Sequence, residues 1–292
     1  MIMTLELYCE TVKTQTGIVM RPSAPGKWIM VFCDECNLPE EDKYATQQVV
    51  MWMRQVVEYG GFYRPSDKLW VYVERVMFLG ACNPPTDPGR FPMSDRFLRH
   101  APLILVDYPS PESFRQIYGT FMRALLKTQP SLKGMADPLT YAMVDVWFQT
   151  QKRFTTETQP HYLYSPRELT RWKVAISEAM AQLPGMAPRD LIRLFIFEGQ
   201  RIFGDRLVFK EEHEWTDNKF DKVSREHLSA TDDDLAKPII FSPLMDGIYA
   251  EQKKEDLRAY VMDRLKIFNE EELNVELVII ASVLHLEGEW RD

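Results

Sequence analysis

The strongest indication of the fold is the segment Trp28-Ile29-Met30-Val31-Phe32-Cys33-Asp34-Glu35, in which six apolar residues run without a break into two carboxylates. An apolar run of this length without polar alternation predicts a strand covered on both faces, as in a parallel sheet between helices. The carboxyl end of such a strand opens into the crevice where α/β proteins bind ligands. Asp34 and Glu35 therefore mark a candidate acidic site at the edge of a parallel sheet.

The chain around this strand, up to residue 108, alternates short apolar segments with one helix. Apolar spacing predicts the helix over residues 44–59, and Gly60-Gly61 ends it. Three further strands are predicted at residues 18–20, 76–82 and 103–106, the last two as buried strands, and a hairpin is predicted over residues 62–73. The first part of the chain is therefore an α/β layer.

The pattern turns helical after residue 110. Ser110-Pro111 predicts a helix start, and Ser165-Pro166-Arg167-Glu168 predicts another with a capping box. Helical spacing continues to residue 180 and again over residues 188–203. Residues 213–234 are predicted to be a polar surface connection, and residues 251–272 a charged amphipathic helix. We expect three parts: an α/β layer at residues 1–109, an α-helical layer at 110–235, and a final segment at 236–292.

Composition excludes several classes of protein. Of the 292 residues 45% are apolar and 27% charged, which is typical of a globular chain. A net charge of -8 argues against a protein that grips nucleic acid. No apolar stretch approaches the ~20 residues that a membrane helix requires, and the first residues do not resemble a secretory signal. Four cysteines without a disulfide-dense segment fit a reducing compartment, so we expect a cytosolic protein.

Cys33 and Cys36 form a C-x-x-C pair whose chemistry must be considered. A zinc site requires a second close pair, whereas Cys9 and Cys82 are isolated single cysteines. A thioredoxin-like motif opens a helix directly, whereas Pro39 follows this pair closely. We interpret the cysteines as chemically idle.

The acidic pair Asp34-Glu35 matches the chemistry of phosphoryl transfer. In P-loop ATPases the first acid at the end of this strand holds Mg²⁺, usually through water, and the second polarises the attacking water. Such reactions depend on positioned charge more than on covalent chemistry. The alternative is a strand that runs into an ordinary acidic turn.

Three further polar residues support the same hypothesis. Asn83 ends the next buried strand, where an amide can contact the attacking water or the γ-phosphate; alternatively, it only begins a turn with Pro84. Arg96 is placed to reach a neighbouring subunit's nucleotide as an arginine finger, or it belongs to a solvated basic turn. Arg167 lies beside the unpaired N–H groups of a helix start, which favours a γ-phosphate, or it is an exposed arginine on a capped helix. The order and spacing of all four features favour the ATPase.

A helicase interpretation takes Asp34-Glu35-Cys36-Asn37 as a DEAD-like box with Ser229-Ala230-Thr231 as its companion. That companion lies beyond a whole helical region instead of a few tens of residues downstream, and the net acidity also disfavours a helicase.

The motif that grips phosphates in such enzymes, G-x-x-x-x-G-K-[ST], does not occur in the sequence. The Gly26-Lys27 pair is followed by Trp28, and Arg21 stands where the first glycine should be. We expect that the first part of the domain is absent and that the chain is a fragment or the product of a split gene. Alone, it should bind ATP poorly, so micromolar Mg-dependent binding of a fluorescent ATP analogue would contradict this expectation.

Longer motifs in the chain closely resemble the third AAA+ module of the cytoplasmic dynein heavy chains. The similarity runs from about residue 8 to residue 272. It rests on residues 26–28, 32–39, 60–64, 80–90, 96–100, 159–162 and 164–172.

The resemblance implies a partial AAA+ P-loop-type sheet followed by an all-α lid, and it gives each candidate residue a role. Asp34 and Glu35 match the Walker B acids, with Asp34 holding Mg²⁺ through water. Asn83 matches sensor 1, Arg167 matches sensor 2, and Arg96 matches the arginine finger offered to the preceding module's nucleotide. Residues 8–27 resemble the family's helix-2 insert and residues 62–73 its pre-sensor-1 hairpin. Cys36 replaces an isoleucine of the family.

The family also implies cofactors and partners. ATP and Mg²⁺ would bind in the complete module, which in this family is a regulatory site. The partners would be the adjacent AAA+ modules of the same heavy chain, the subunits of the dynein complex and, through the full motor, microtubules in the cytoplasm. Neither nucleic acid nor membrane is expected. Residues from about 238 resemble the lead-in to the fourth module.

Two rival hypotheses remain at this point. A non-motor AAA+ ATPase of the midasin or MoxR clade shares the insert and the hairpin. A non-catalytic fragment that serves only as a ring wall is the other alternative. The roles of Arg99 and Arg171 stay open.

Overall fold

A computed structural model describes residues 1–271, which divide into two compact units. The first unit is Met1–Val106, and the second begins at Asp107. The elements of the first unit are α1 (Ile2–Glu6), β1 (Cys9–Thr14), β2 (Gly17–Pro22), β3 (Ile29–Cys33), α2 (Gln48–Tyr59), β4 (Gly61–Tyr63), β5 (Trp70–Val73), β6 (Val76–Gly80) and α3 (Asp95–Leu98).

The strands of the first unit form two sheets. One sheet has the order β1-β2-β5-β4, in which β2 and β5 are parallel and the two outer pairs are antiparallel. The other sheet pairs β3 with β6 in parallel, from Ile29 opposite Val76 to Cys33 opposite Gly80. The predicted hairpin over residues 62–73 is confirmed by β4 and β5. The strand predicted at residues 18–20 is confirmed by β2.

The β3–β6 sheet is covered on only one face by the described residues. Ile29, Val31, Val76 and Phe78 pack against the core of the unit. On the other face Met30 is 64% exposed and Phe32 59%. The parallel pairing is confirmed, but the prediction of two covered faces is wrong because the described part of the chain packs no layer against the second face.

Two boundaries differ from the sequence patterns. Residues 103–106 form no strand, and their side chains are 71–92% exposed, because no described strand pairs with this backbone. The helix predicted from residue 44 begins at Gln48 instead. Asp42 accepts hydrogen bonds from the backbone N–H groups of Tyr44 and Thr46, which holds these residues in a turn. The helix ends as expected, with Gly60 at φ 70°.

The second unit is mainly helical. Its elements are α4 (Pro111–Leu126), a 3₁₀ helix (Pro130–Met135), α5 (Ala136–Arg153), α6 (Pro166–Gln182), α7 (Pro188–Phe203), α8 (Lys210–Leu228), β7 (Phe241–Ser242), β8 (Ala250–Glu251) and α9 (Lys254–Glu271). The helix starts predicted at Ser110 and Ser165 are confirmed, as is the helix over residues 188–203. The predicted charged helix begins at Lys254, and its last residue, 272, lies outside the described residues.

The core of the second unit is rich in aromatic rings. Trp172 stacks on Phe195 with ring centroids 4.5 Å apart, and Phe220 of α8 packs edge-on against Trp172 at 5.6 Å. The prediction that residues 213–234 form a surface connection is therefore wrong for most of this segment. Phe220 and Val223 lie on the buried face of a helix, whereas most of its charged residues are not buried.

None of the helices described between residues 1 and 271 is sufficiently long and apolar to cross a lipid bilayer.

Candidate nucleotide-hydrolysis site

The parallel pairing of β3 and β6 brings their carboxyl ends to the same edge. Beyond the ladder, the Ala81 N–H donates to the Cys33 carbonyl at 2.9 Å, and the Cys36 N–H donates to the Ala81 carbonyl at 3.0 Å. These bonds hold the Asp34–Glu35 turn beside the chain that leads to Asn83. The sequence hypothesis required Asp34, Glu35 and Asn83 on neighbouring strand ends, and the structure places them there.

Backbone strain and close packing shape the acidic turn. Glu35 has a φ of 54°, a left-handed conformation that costs about 1–3 kcal/mol for such a residue and is common at functional sites. The Glu35 N–H donates to Asp34 Oδ1 at 2.9 Å, which supports this conformation. A Cβ on Gly80 would lie 2.9 Å from Cys36 Sγ, so glycine lets the turn approach β6.

Asn37 ties the turn to the Asn83 loop, a role that sequence reasoning missed. It is only 2% exposed, and its Nδ2 donates to the Asn83 carbonyl at 2.8 Å. The Phe91 N–H in turn donates to the Asn37 carbonyl at 3.1 Å. Asn37 Oδ1 is buried without a hydrogen-bond partner among the described residues. The only signal in the sequence was a polar residue between Cys36 and Leu38, soon after the two acids.

Asp34 and Asn83 are exposed at this edge, whereas Glu35 is half-buried. Glu35 faces Arg90, whose Nη1 and Nη2 donate to its two carboxylate oxygens at 3.1 and 2.9 Å. The hydrogen bond to Glu35 contributes most to a raised pKa of Arg90; partial burial opposes it, and the charges of Glu35, Asp87 and Asp34 add to it. Arg90 therefore lies among three carboxylates, and sequence reasoning did not select it.

Arg96 and Arg99, both in the motif at residues 96–100, differ in their contacts. Arg96 is exposed on α3, and its backbone N–H is capped by Ser94 Oγ at 3.3 Å. Arg99 Nη2 donates to Glu58 Oε1 on α2 at 2.6 Å. Arg99 thus joins α3 to α2, a structural role that the sequence left open. The role of Arg96 as a finger stays a prediction.

Arg167 lies in the helical unit, at the second position of α6. The start of this helix is firmly built: Ser165 Oγ accepts from the Arg167 N–H at 3.3 Å, and buried Glu168 accepts from the Ser165 N–H at 2.7 Å. Arg206 Nη2 donates to the other oxygen of Glu168 at 3.2 Å, and Arg206 Nη1 donates to the Leu163 carbonyl at 2.9 Å. The Arg167 side chain is exposed at this fixed helix end. Its sensor role stays a prediction, as does any role of exposed Arg171.

Comparison with known proteins identifies the family. Residues 3–109 match the model of the P-loop containing dynein motor region, and residues 121–213 match the dynein heavy chain ATPase lid domain. The chain belongs to the dynein heavy-chain family. It is 50% identical to a cytoplasmic dynein heavy chain of Drosophila melanogaster over 286 residues, and 49% identical to one of Caenorhabditis elegans over 287. A dynein heavy chain-like protein of Plasmodium falciparum is 48% identical over 289 residues.

Each of these matches covers 97% of this dynein chain but 6% of the relative, so the chain spans about one-seventeenth of the length of these heavy chains. The two family models match the two units separately. The α/β sheet and the helical lid of an AAA+ module are thereby confirmed as the fold.

The residues of this dynein chain fit one part of a nucleotide site. Asp34 and Asn83 offer exposed oxygen atoms, the ligand type that Mg²⁺ prefers, usually with several of its waters retained. Asn37 adds a buried side-chain amide oxygen, Oδ1, that accepts no hydrogen bond from the described residues. The sequence contains no phosphate-gripping motif, so these residues match the metal and water side of the site and not the phosphate cradle.

The two cysteines of the C-x-x-C pair are at least partly buried in this dynein chain. Cys36 Sγ donates to the Cys33 and Ala81 carbonyls, both at 3.1 Å, and all four cysteines are free. Burial raises the pKa of both Cys33 and Cys36, which disfavours the reactive thiolate. This supports the interpretation that the C-x-x-C pair is chemically idle.

Proposed function

We propose that this chain forms the hydrolysis-directing side of the nucleotide site in the third AAA+ module of a cytoplasmic dynein heavy chain. The observation that carries the proposal is the parallel β3–β6 pair, which places Asp34, Glu35 and Asn83 at one edge. Acids and an amide at adjacent carboxyl ends are the arrangement that phosphoryl transfer requires. The choice of the third module rests on the motifs at residues 26–28, 32–39, 80–90 and 96–100.

Each residue then has one task. Asp34 would hold Mg²⁺ through a water molecule, and the metal would neutralise charge on the phosphates. Glu35 polarises the attacking water, and Asn83 positions that water or the γ-phosphate. Arg167 serves as the sensor 2 residue, and Arg96 serves the nucleotide of the preceding module.

In the complete heavy chain this site regulates a motor that moves toward microtubule minus ends in the cytoplasm. Its partners are the adjacent AAA+ modules, the other dynein subunits and microtubules. The assignment to the third module has its own check: two AAA+ modules, each with a G-x-x-x-x-G-K-[ST] motif, should precede this segment in the complete heavy chain. A different number of preceding modules would contradict it.

The central test is Glu35→Gln in the intact heavy chain. Removing the carboxylate stops polarisation of the attacking water but does not prevent nucleotide binding. The variant should therefore retain ATP where the wild type retains ADP. After incubation with MgATP and rapid desalting, the bound nucleotide is identified by chromatography. The substitution should raise the ratio of bound ATP to ADP.

Glu40→Gln, which changes an exposed acid of the same segment, is the matched control and should leave this ratio unchanged. An unchanged ratio in Glu35→Gln would show that this segment only forms part of the ring wall and would overturn the proposed function.

A further inference from the structure

The contact between Glu35 and Arg90 restrains the carboxylate that the proposed function assigns to water polarisation. Glu35 is the water-polarising group of the proposed function, yet both of its carboxylate oxygens accept hydrogen bonds from one guanidinium. A bidentate arginine–carboxylate pair fixes the direction of the carboxylate as well as its position. In this geometry Arg90 occupies two of the roughly four acceptor sites of the Glu35 carboxylate, one on each oxygen.

Hydrogen bonds within the loop and to the acidic turn hold the loop that carries Arg90 close to Glu35. The segment from Asn83 to Arg90 turns back over the acidic turn, with Gly89 at φ 73° and the Arg90 N–H bonded to the Asp87 carbonyl at 3.2 Å. The next residue, Phe91, is bonded to Asn37 of the acidic turn. The Arg90 side chain is only 11% exposed, whereas that of Glu35 is 43% exposed. The arginine is therefore the fixed member of the pair and the carboxylate the more accessible one.

The charges around Arg90 explain how the contact could be released. Arg90 interacts with Glu35, Asp87 and Asp34. Binding of Mg²⁺ beside Asp34 would add positive charge next to the guanidinium, and a triphosphate would offer it a competing anion. Both changes weaken the hold of Arg90 on Glu35, whose left-handed backbone already stores strain.

We propose that Arg90 is a positioning residue that holds the Glu35 carboxylate away from the attacking water until nucleotide and metal bind. The inference rests on the proposed function, because it assumes that Glu35 polarises water. It adds a control step: hydrolysis at this site requires the Arg90–Glu35 pair to open.

The test measures steady-state ATP hydrolysis by the intact heavy chain with Arg90→Gln, Arg90→Lys, Glu35→Gln and the double variant Arg90→Gln/Glu35→Gln. An ion pair with one exposed partner contributes modestly, so Arg90→Gln should raise the Glu35-dependent part of kcat by about two- to fivefold. KM for ATP should not rise, because nucleotide binding no longer has to open the pair. Arg90→Lys keeps the charge without the fork and should give a smaller increase. It also serves as the second variant if Arg90→Gln folds poorly.

The double variant shows whether Arg90 acts through Glu35. In the Glu35→Gln background, Arg90→Gln should have no effect on turnover. Arg21→Gln, which breaks the exposed 2.8 Å pair with Glu10 in the same unit, is the matched control and should leave kcat at the wild-type value.

Three outcomes would overturn the proposal, and they differ from one another. A lower kcat in Arg90→Gln would mean that Arg90 aims Glu35 at the water instead of holding it back. An equal effect of Arg90→Gln with and without Glu35 would mean that it acts by another route. No effect of Glu35→Gln itself would overturn the proposed function, and the holding role of Arg90 with it.

Discussion

Glu58 shows at the scale of single residues how the motif at 96–100 holds the fold. Its carboxylate accepts from Arg54 Nε at 2.8 Å and from Arg99 Nη2 at 2.6 Å, and His100 Nε2 lies 3.6 Å away. Burial opposes ionisation, but the hydrogen bond from Arg54 and the charges of Arg54, Arg99 and His100 together lower the pKa of Glu58.

This lowered pKa predicts acid sensitivity. A carboxylate whose pKa is lower in the folded state stabilises the fold above its unfolded value and loses that contribution as pH falls through the folded value. The thermal unfolding midpoint of the wild-type chain should therefore decrease once the pH is lowered past about 4.5, the ordinary pKa of a glutamate. The decrease should be smaller in Glu58→Gln. Differential scanning fluorimetry from pH 3 to pH 7 measures it.

Glu74→Gln, at an exposed acid of the same unit, is the control and should follow the wild-type profile. A Glu58→Gln profile as steep as that of the wild type would contradict the explanation.

The residues that sequence reasoning found and missed differ in one physical respect. Asp34, Glu35 and Asn83 were predicted because each directly follows an apolar strand, so its place at the sheet edge is set by its own local sequence. Arg90 is 55 positions from Glu35 and Asn37 is 46 from Asn83, and both contacts arise only when two loops fold together. No local sequence pattern predicts such contacts.

At the scale of elements, helix ends were predictable where side chains cap the backbone. Ser165 and Glu168 form the predicted capping box, and Ser110 caps α4. Elements that depend on distant partners were not predictable. Residues 103–106 have a strand composition but no described partner strand. Helix α8 has only a narrow apolar face, and its many charged residues made the segment look like a surface connection.

The contact of α7 with α6 and α8 gives a second prediction. A Cβ on Gly199 would lie 2.3 Å from Phe220 Cε1 and 2.5 Å from Trp172 Cζ2, two rings that are fully buried. Gly199→Ala should therefore lower the free energy of unfolding by about 1–3 kcal/mol through overpacking. Urea denaturation followed by tryptophan fluorescence measures the change.

Gly134→Ala is the matched control, because a Cβ on Gly134 meets nothing within 4 Å. It should leave the denaturation midpoint close to that of the wild type. A stable Gly199→Ala variant would mean that the three helices pack less closely than described.

At the scale of the whole molecule, the proposed function requires a nucleotide to bind beside the edge of the β3–β6 sheet. The sequence and the family matches support an AAA+ module with a helical lid, and the exposed acids and amide support the site within it. The chain itself lacks the phosphate-gripping motif, so the site must be examined in the intact heavy chain.

The most direct measurement is a cryo-electron-microscopy structure of the intact heavy chain with Mg²⁺ and a non-hydrolysable ATP analogue. We expect triphosphate density within hydrogen-bonding reach, directly or through water, of Asp34, Glu35 and Asn83, with the Arg90–Glu35 pair open. The proposed function would be contradicted if the triphosphate density lay elsewhere in this module. It would also be contradicted if these side chains were turned away from the triphosphate.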